Sequence, residues 1–117
     1  MNISIIDDEQ EALALLDTFL SKQGHTVTTY SNPLTALSSI RESSDVILLD
    51  VIMPQMNGLD LLPKLLEKLP NAKIIIMTSQ STLDKVLNAH RSGAVFYVMK
   101  PFNSLQELES KIIEVSK

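Results

Sequence analysis

Short apolar segments without a polar interruption alternate along this chain with stretches of helical periodicity. Residues 46–49 and 74–77 are the clearest apolar segments, and polar residues bound each of them. Uninterrupted apolar runs of this length are typical of strands buried on both faces of a sheet, because a half-exposed strand alternates apolar and polar residues. Buried strands that alternate with helices form a parallel sheet with helices on both faces, joined by right-handed crossovers. The alternation therefore predicts a doubly wound α/β fold.

Five strands are expected, each followed by a helix. The predicted strands comprise residues 3–6, 26–30, 46–49, 73–77 and 95–99. The helix signals between them are Asn32, Asn57, Ser81 or Thr82, and Ser104 at helix starts, and Gly24 and Gly93 at helix ends. Among doubly wound sheets, the strand order 2-1-3-4-5 fits five strands and has its switch point between strands 1 and 3. Side chains that follow these two strands are thus expected to be neighbours.

The composition is that of one globular domain. At 117 residues, with 44% hydrophobic and 21% charged residues, the chain is expected to form a single domain over residues 1–117. The absence of Cys excludes disulfides and thiolate zinc sites, and we expect a cytoplasmic location. No apolar run is long enough for a membrane span. A net charge of −4 without a block of Lys or Arg argues against direct nucleic-acid contact.

Reactive side chains follow four of the five predicted strands. Asp7 and Asp8 follow the first strand, Asp50 the third, Thr78 the fourth and Lys100 the fifth. The carboxyl ends of parallel strands meet at one edge of the sheet, where ligands of such folds bind. These side chains are therefore expected to form one site.

Three carboxylates at one site need a compensating charge. Two ionised groups about 4 Å apart repel by roughly 4 kcal/mol at an effective dielectric constant near 20, so either a cation binds or a proton is taken up. Carboxylate ligands without His or Cys indicate a hard ion, and an open site with few protein ligands favours Mg²⁺ over Ca²⁺. His25 and His90 have no carboxylate or His partner at ligand spacing, and they are interpreted as surface or boundary residues.

Such a site leaves one carboxylate available as a nucleophile toward phosphorus. A metal ion offsets the charge on the incoming phosphoryl oxygens, so that a carboxylate can approach them. Asp50 is the predicted nucleophile, since it ends the central buried strand. The Thr78 hydroxyl and the Lys100 ammonium can each hold one phosphoryl oxygen. A phosphorylated Asp50 is the expected product.

Taken together, these residues resemble the receiver domain of response regulators over the whole chain. The matching features are the acidic pair Asp7-Asp8, the segment DVIMPQMNG at 50–58, Thr78, and Gly93-Ala94 leading to Tyr97 and Lys100-Pro101-Phe102. The resemblance implies a flavodoxin-like fold of five βα units. It also implies a phosphorylation-activated switch of a two-component system.

The resemblance further implies a role for each residue of the site. Asp50 is the implied phosphoacceptor, and Asp8 is an implied direct Mg²⁺ ligand together with Asp50 and the backbone carbonyl of Ile52. Asp7 is implied to act partly through water, and Mn²⁺ is expected to substitute for Mg²⁺. Lys100 is the implied phosphoryl contact, with a cis bond to the proline that follows it.

Two further pairs of residues are implied to set the response and its duration. Thr78 and Tyr97 resemble the switch pair, in which the ring turns inward when the hydroxyl moves toward the phosphoryl group. Ile52 and Gln80 occupy positions that flank the path of the attacking water. Because Ile52 is apolar and cannot orient water, we expect slow autodephosphorylation.

The expected function is a signalling switch that receives its phosphoryl group from a histidine kinase or a histidine phosphotransfer protein. Catalysis beyond its own phosphorylation and dephosphorylation is not expected. Alternatives that stay open are the receiver part of a DNA-binding transcriptional regulator and a metal-dependent aspartyl phosphohydrolase. The hydrolase is less favoured, because the second carboxylate of such enzymes typically lies two residues after the nucleophile, where this chain has Ile52. A scaffolding pseudo-receiver would lack a site residue, and none is missing.

The output surface is implied only by the resemblance. An output partner, or a second copy in a phosphorylation-dependent homodimer, is expected on the face formed by the predicted fourth helix, fifth strand and fifth helix. The charged and polar residues of that face include Asp84, Lys85, Arg91, Gln106 and Glu107. They do not identify the partner, and contact with a membrane is not expected.

Overall fold

The predicted apolar segments pair as one parallel sheet in the computed structural model, which describes residues 1–79, 93–102 and 104–117. The strands are β1 (Asn2–Ile6), β2 (Thr26–Tyr30), β3 (Val46–Asp50), β4 (Lys73–Thr78) and β5 (Phe96–Met99). They lie in the order β2-β1-β3-β4-β5, which confirms the predicted doubly wound sheet. Ile6 of β1 pairs with Leu49 of β3, so the residues that follow these strands begin at the same level of the sheet.

Helices connect the strands across both faces of the sheet. In the described part of the chain they are α1 (Gln10–Lys22), α2 (Pro33–Ser39), α3 (Gly58–Lys68) and α4 (Leu105–Ser116). The helix predicted to begin at Ser81 or Thr82 lies outside the described residues. Among the helices described, none has the length and apolar character needed to cross a membrane.

The helix termini follow the signals in the sequence. The side chains of Asn32, Asn57 and Ser104 each accept a hydrogen bond from a backbone N–H in the first turn of α2, α3 and α4, respectively. Such caps satisfy N–H groups that have no partner inside the helix. After α1 the chain turns at Gly24, whose φ of 93° lies in the left-handed region that glycine adopts without steric cost. These local signals fix where the helices begin and end.

Two apolar layers, one on each face of the sheet, form the core. Residues of β1, β3 and β4 alternate between the layers, as the pleat requires. One layer packs against α2 and α3 and includes Ile6, Leu49, Leu61, Leu65 and Ile76. The other packs against α1 and α4 and includes Ile5, Leu16, Leu48, Ile75 and Ile112. Burial of β3 on both faces explains its uninterrupted apolar sequence.

His25 has a partner that the sequence interpretation missed. Its Nε2 lies 2.7 Å from Glu109 Oε2 on α4, and its Nδ1 lies 3.3 Å from the ammonium of Met1. The side chain is only 10% exposed. The prediction of a boundary position is therefore sound, but local spacing could not find a carboxylate that is distant in sequence. His90 lies outside the described residues.

Candidate functional site

The carboxyl ends of β1 and β3 bring three aspartates together. Asp7 and Asp8 follow β1, and Asp50 is the last residue of β3. Each offers a carboxylate oxygen, and these oxygens all lie within 4.8 Å of one another. The sequence prediction that the acidic pair and Asp50 are neighbours is confirmed. An acidic site therefore lies at the switch point of the sheet.

The strand pairing extends to the acidic pair and holds it in place. The backbone N–H of Asp7 donates to the carbonyl of Tyr30 at 3.1 Å, which continues the pairing of β1 with β2. Asp7 is fully buried, and its Oδ1 accepts a hydrogen bond of 3.0 Å from the backbone N–H of Glu9. Asp50 is also buried, whereas Asp8 is half-buried. The burial leaves Asp8 as the most accessible of the three carboxylates.

Lys100 enters the site from the end of β5. Its Nζ lies 2.5 Å from Asp7 Oδ2, 3.6 Å from Asp50 Oδ1 and 3.6 Å from Glu9 Oε1. The backbone N–H of Lys100 donates to the carbonyl of Thr78 at 2.6 Å, which sets this residue beside the end of β4. The bond from Lys100 to the following proline is cis, as the resemblance implied. Among the described residues, Lys100 thus supplies the positive charge at the acidic cluster.

The electrostatic balance of the site shows in the pKa values of Asp50 and Lys100. Burial, followed by the negative charge of Asp7, raises the pKa of Asp50 to about 7, although Lys100 acts in the opposite direction. Burial by itself would lower the pKa of Lys100. The hydrogen bond to Asp7 and the charge of Asp50 outweigh that effect, and the pKa of Lys100 lies above its ordinary value. In residues 1–79, 93–102 and 104–117, the site therefore contains more carboxylates than cations.

This donor set fits a hard divalent cation. The ligand atoms of the cluster are carboxylate oxygens, which Mg²⁺ prefers to the nitrogen or sulfur ligands of softer metals. A divalent ion would also favour the ionised form of Asp50, which burial and the charge of Asp7 disfavour. Ile52 lies in the turn after β3, two residues beyond Asp50, and is 56% exposed.

Gly58 packs against the backbone of Asp50, a contact that the sequence prediction did not include. Its N–H donates to the carbonyl of Val51 at 2.8 Å. A Cβ at this position would lie 2.1 Å from the backbone oxygen of Asp50, far inside contact distance. The glycine therefore allows the start of α3 to press against the end of β3. The Asn57-Gly58 sequence indicated a helix start, and the close approach is a second reason for glycine.

The remaining predicted site residues have different surroundings. Thr78 is buried at the end of β4, and its hydroxyl donates to the carbonyl of Ser79 at 3.2 Å. Tyr97 is half-buried on β5, pairs in register with Ile76 and packs against the core layer on the α2 and α3 side. Gln80 lies outside the described residues. The contact of Glu9 with Lys100 was not predicted from the sequence.

Comparisons with known proteins agree with the sheet order and the acidic cluster described above. Residues 3–113 match the response regulator receiver domain. The chain is 37% identical over 111 residues to the DNA-binding transcriptional regulator NtrC of Azospirillum brasilense, which covers 94% of this chain and 23% of that protein. It is 38% identical over 109 residues to the CpxR homolog of Haemophilus influenzae, with 92% of this chain and 47% of that protein covered. The chain thus spans less than half of these relatives.

Solved structures agree with the sequence matches. A two-component response regulator from Clostridium difficile has a TM-score of 0.90 at 28% identity and covers 98% of this chain and 94% of its own. A response regulator receiver domain protein from Clostridium thermocellum has a TM-score of 0.88 at 30% identity, with coverages of 98% and 93%. The matched length, the strand order and the acidic cluster lead to one conclusion: this chain belongs to the response regulator receiver domain family.

Proposed function

We propose that Asp50 accepts a phosphoryl group and that this modification is the signal of a two-component system. The observation that carries the proposal is the position of Asp50, buried at the end of β3, with two further aspartates and the Lys100 ammonium around it. A carboxylate in this position can react with an anionic phosphoryl group only when positive charge offsets the negative charge of the acids and of the phosphoryl group. The family assignment supports the same chemistry.

The transfer step forms one bond and breaks another. A carboxylate oxygen of Asp50 attacks phosphorus, and the bond from phosphorus to the histidine nitrogen of the donor protein breaks. The electron pair of that bond remains on the nitrogen, and an acyl phosphate forms on Asp50. The Lys100 ammonium, 3.6 Å from Asp50 Oδ1, supplies positive charge to the phosphoryl oxygens. The Thr78 hydroxyl, at the end of the neighbouring strand, is the proposed second donor.

Mg²⁺ is the proposed cofactor, and Mn²⁺ is expected to substitute for it. Asp7, Asp8 and Asp50 would hold the ion together with the backbone carbonyl of Ile52, with Asp7 acting partly through water. When bound, the ion would offset the negative charge on the phosphoryl oxygens. The all-oxygen donor set and the raised pKa of Asp50 support this assignment.

Phosphorylation is proposed to change the surface of the domain. The phosphoryl group carries about −1.5 to −2 charges, and it replaces the carboxylate charge of Asp50 at the end of β3. We infer that Thr78 turns toward the new group and that Tyr97 follows, since both lie on neighbouring strands at this edge. Ile52 and Gln80 are proposed to set the lifetime of the product. An Ile52→Asn variant that hydrolyses at the rate of the natural domain would contradict the role of Ile52.

The proposed partners follow from the same chemistry. A histidine kinase or phosphotransfer protein would supply the phosphoryl group, and the face containing β5 and α4 would bind the output partner or a second copy. Relatives that carry the name of DNA-binding transcriptional regulators are longer than this chain, so a separate DNA-binding output domain is the favoured outlet. We also propose that the domain is no enzyme toward small molecules. A turnover assay should give about one phosphoryl group per chain before slow hydrolysis.

Phosphoryl uptake by Asp50 tests the proposal directly. The natural domain and Asp50→Asn are incubated with acetyl phosphate and Mg²⁺, and intact mass spectrometry measures the addition of a phosphoryl group. Asp60→Asn is the matched control, since Asp60 is an exposed carboxylate on α3. The natural domain and the control should gain one phosphoryl group, and Asp50→Asn should gain none. Equal labelling of Asp50→Asn would overturn the assignment.

A further inference from the structure

Glu9 is placed at the rim of the site by its own backbone. It is the N-cap residue of α1, and its N–H donates to Asp7 Oδ1 at 3.0 Å. An N-cap side chain often accepts a hydrogen bond from its helix. Within the described residues, the Glu9 side chain makes no such capping bond. The turn after β1 therefore fixes the position of residue 9 and leaves its carboxylate available for another contact.

That contact is with the cation of the site. Glu9 Oε1 lies 3.6 Å from Lys100 Nζ, which in turn lies 3.6 Å from Asp50 Oδ1. The Glu9 side chain is 66% exposed, whereas the side chains of Asp7 and Asp50 are 0% and 7% exposed. Glu9 is thus a solvent-facing carboxylate that shares Lys100 with the nucleophile. A phosphodonor that binds the Lys100 ammonium therefore comes close to the Glu9 carboxylate.

We propose that Glu9 is a specificity-determining residue, which disfavours free, highly anionic phosphodonors by repulsion at the entrance of the site. The inference rests on the proposed phosphorylation of Asp50 and adds a residue to it. Glu9 Oε1 and Asp50 Oδ1 each lie 3.6 Å from Lys100 Nζ, so the distance between them is at most twice that value. This distance is less than the Debye length of about 8 Å at physiological salt. Glu9 also engages the ammonium that an incoming phosphoryl group needs.

The size of the effect follows from the exposure of Glu9. Interactions between exposed charges are weak, so the expected rate change is about threefold. The repulsion must grow with the charge of the donor. Acetyl phosphate carries one more negative charge near neutral pH than phosphoramidate does, so the two donors separate a charge effect from a general change in reactivity.

The experiment compares Glu9→Gln with the natural domain. Initial rates of Asp50 phosphorylation are measured with acetyl phosphate and with phosphoramidate, each at low and at high salt and at saturating Mg²⁺. Glu9→Gln should react about threefold faster with acetyl phosphate at low salt, through a lower half-saturating concentration. The gain should be smaller with phosphoramidate, and it should shrink at high salt. Glu9→Asp, which keeps the charge, should remain close to the natural domain.

Glu11→Gln is the matched control, because it removes the same charge from an exposed position in the first turn of α1. In the described parts of the chain, no ion pair of Glu11 is found. An equal gain in Glu11→Gln would overturn the proposal in favour of net charge, and so would unchanged or slower phosphorylation of Glu9→Gln by both donors. If neither donor labels Asp50 of the natural domain, the proposed function itself fails.

Discussion

At the scale of single residues, the described part of the site contains more negative than positive charge. Asp7, Asp8 and Asp50 crowd their oxygens within 4.8 Å, and Lys100 contributes a single positive charge. Burial, followed by the negative charge of Asp7, raises the pKa of Asp50 to about 7. Near neutral pH the ionised form of Asp50 is therefore disfavoured, and a bound cation would favour it.

The raised pKa of Asp50 predicts that stability falls as pH rises. From about pH 4 to pH 7 the folded chain binds more protons than the unfolded chain, because the unfolded pKa is near 3.8 and the folded pKa about 7. The free energy of unfolding should therefore decrease through this window. Urea unfolding with a chelator should show a loss on the order of 2 kcal/mol attributable to Asp50.

Asp50→Asn provides the comparison for this pH dependence. The amide has a similar shape and does not titrate, so the variant should lose less stability between about pH 4 and pH 7 and be the more stable protein at pH 8. Asp60→Asn should keep the pH profile of the natural domain, since Asp60 is exposed on α3. If the natural domain and Asp50→Asn show parallel profiles, ionisation of Asp50 does not lower the free energy of unfolding.

At the scale of secondary structure, the site depends on how closely α3 approaches β3. The start of α3 lies against the backbone of Asp50 because Gly58 has no side chain. The N–H of Gly58 bonds the carbonyl of Val51, and the N–H of Val51 bonds the carbonyl of Met77 on β4. One hydrogen-bonded path therefore connects the helix, the turn after the nucleophile and the next strand. A shift of α3 would move the residue that carries the reactive oxygen.

Gly58→Ala should damage both stability and phosphorylation. The new Cβ would lie 2.1 Å from the backbone oxygen of Asp50, so α3 or the end of β3 has to move. We expect a loss of about 1–3 kcal/mol in urea unfolding, and phosphorylation of the folded fraction slower than in the natural domain.

Gly24→Ala is the matched control for Gly58→Ala. Gly24 has a positive φ but no atom within 4 Å of a Cβ built there, so only backbone strain is expected, on the order of 1 kcal/mol. The phosphorylation rate of the folded Gly24 variant should equal that of the natural domain. If the two variants phosphorylate equally fast, the approach of Gly58 has no part in positioning Asp50.

The sequence was sufficient for the strand order and for the neighbouring positions of the acidic pair and Asp50, because both follow from the repeating pattern of strands. Apolar runs located the strands, and the rule for carboxyl edges placed Asp7, Asp50, Thr78 and Lys100 together. Contacts that depend on side-chain conformation had no such signal. The contact of Glu9 with Lys100 and that of His25 with Glu109 join residues that are far apart in sequence. They became visible only once the elements were packed.

At the scale of the whole molecule, the apolar core and the candidate site occupy different parts of the sheet. Both faces of β1, β3 and β4 are covered mainly by apolar side chains, whereas the carboxyl edge carries the acidic cluster. The opposite edge carries the pair of His25 with Glu109 and the ammonium of Met1. Binding of an ion at the carboxyl edge is therefore expected to stabilise the entire fold, since the unfolded chain does not assemble that cluster.

Mg²⁺ should raise the thermal midpoint of the natural domain at pH 8 and raise it less at about pH 5. The dependence on pH follows because the ligands must be ionised to bind the ion, and burial works against ionisation of Asp50. Differential scanning calorimetry with Mg²⁺ and with chelator measures the shift. Asp8→Asn should reduce the shift, while Asp17→Asn, on α1 and outside the cluster, should retain it. Equal shifts in the two variants would place the ion elsewhere.

The site is assembled from the ends of four separate strands, and this limits where the chain can be cut, extended or fused. Loops that lead from a helix back into a strand, such as the turn at Gly24, lie at the edge away from Asp50. Those loops are the suitable positions for new termini from circular permutation, for inserted reporters and for fusion joints. The connections after β1 and β3 are unsuitable, because the acidic cluster of Asp7, Asp8 and Asp50 lies there. A split version of the domain should regain phosphorylation only when its fragments reassemble the sheet.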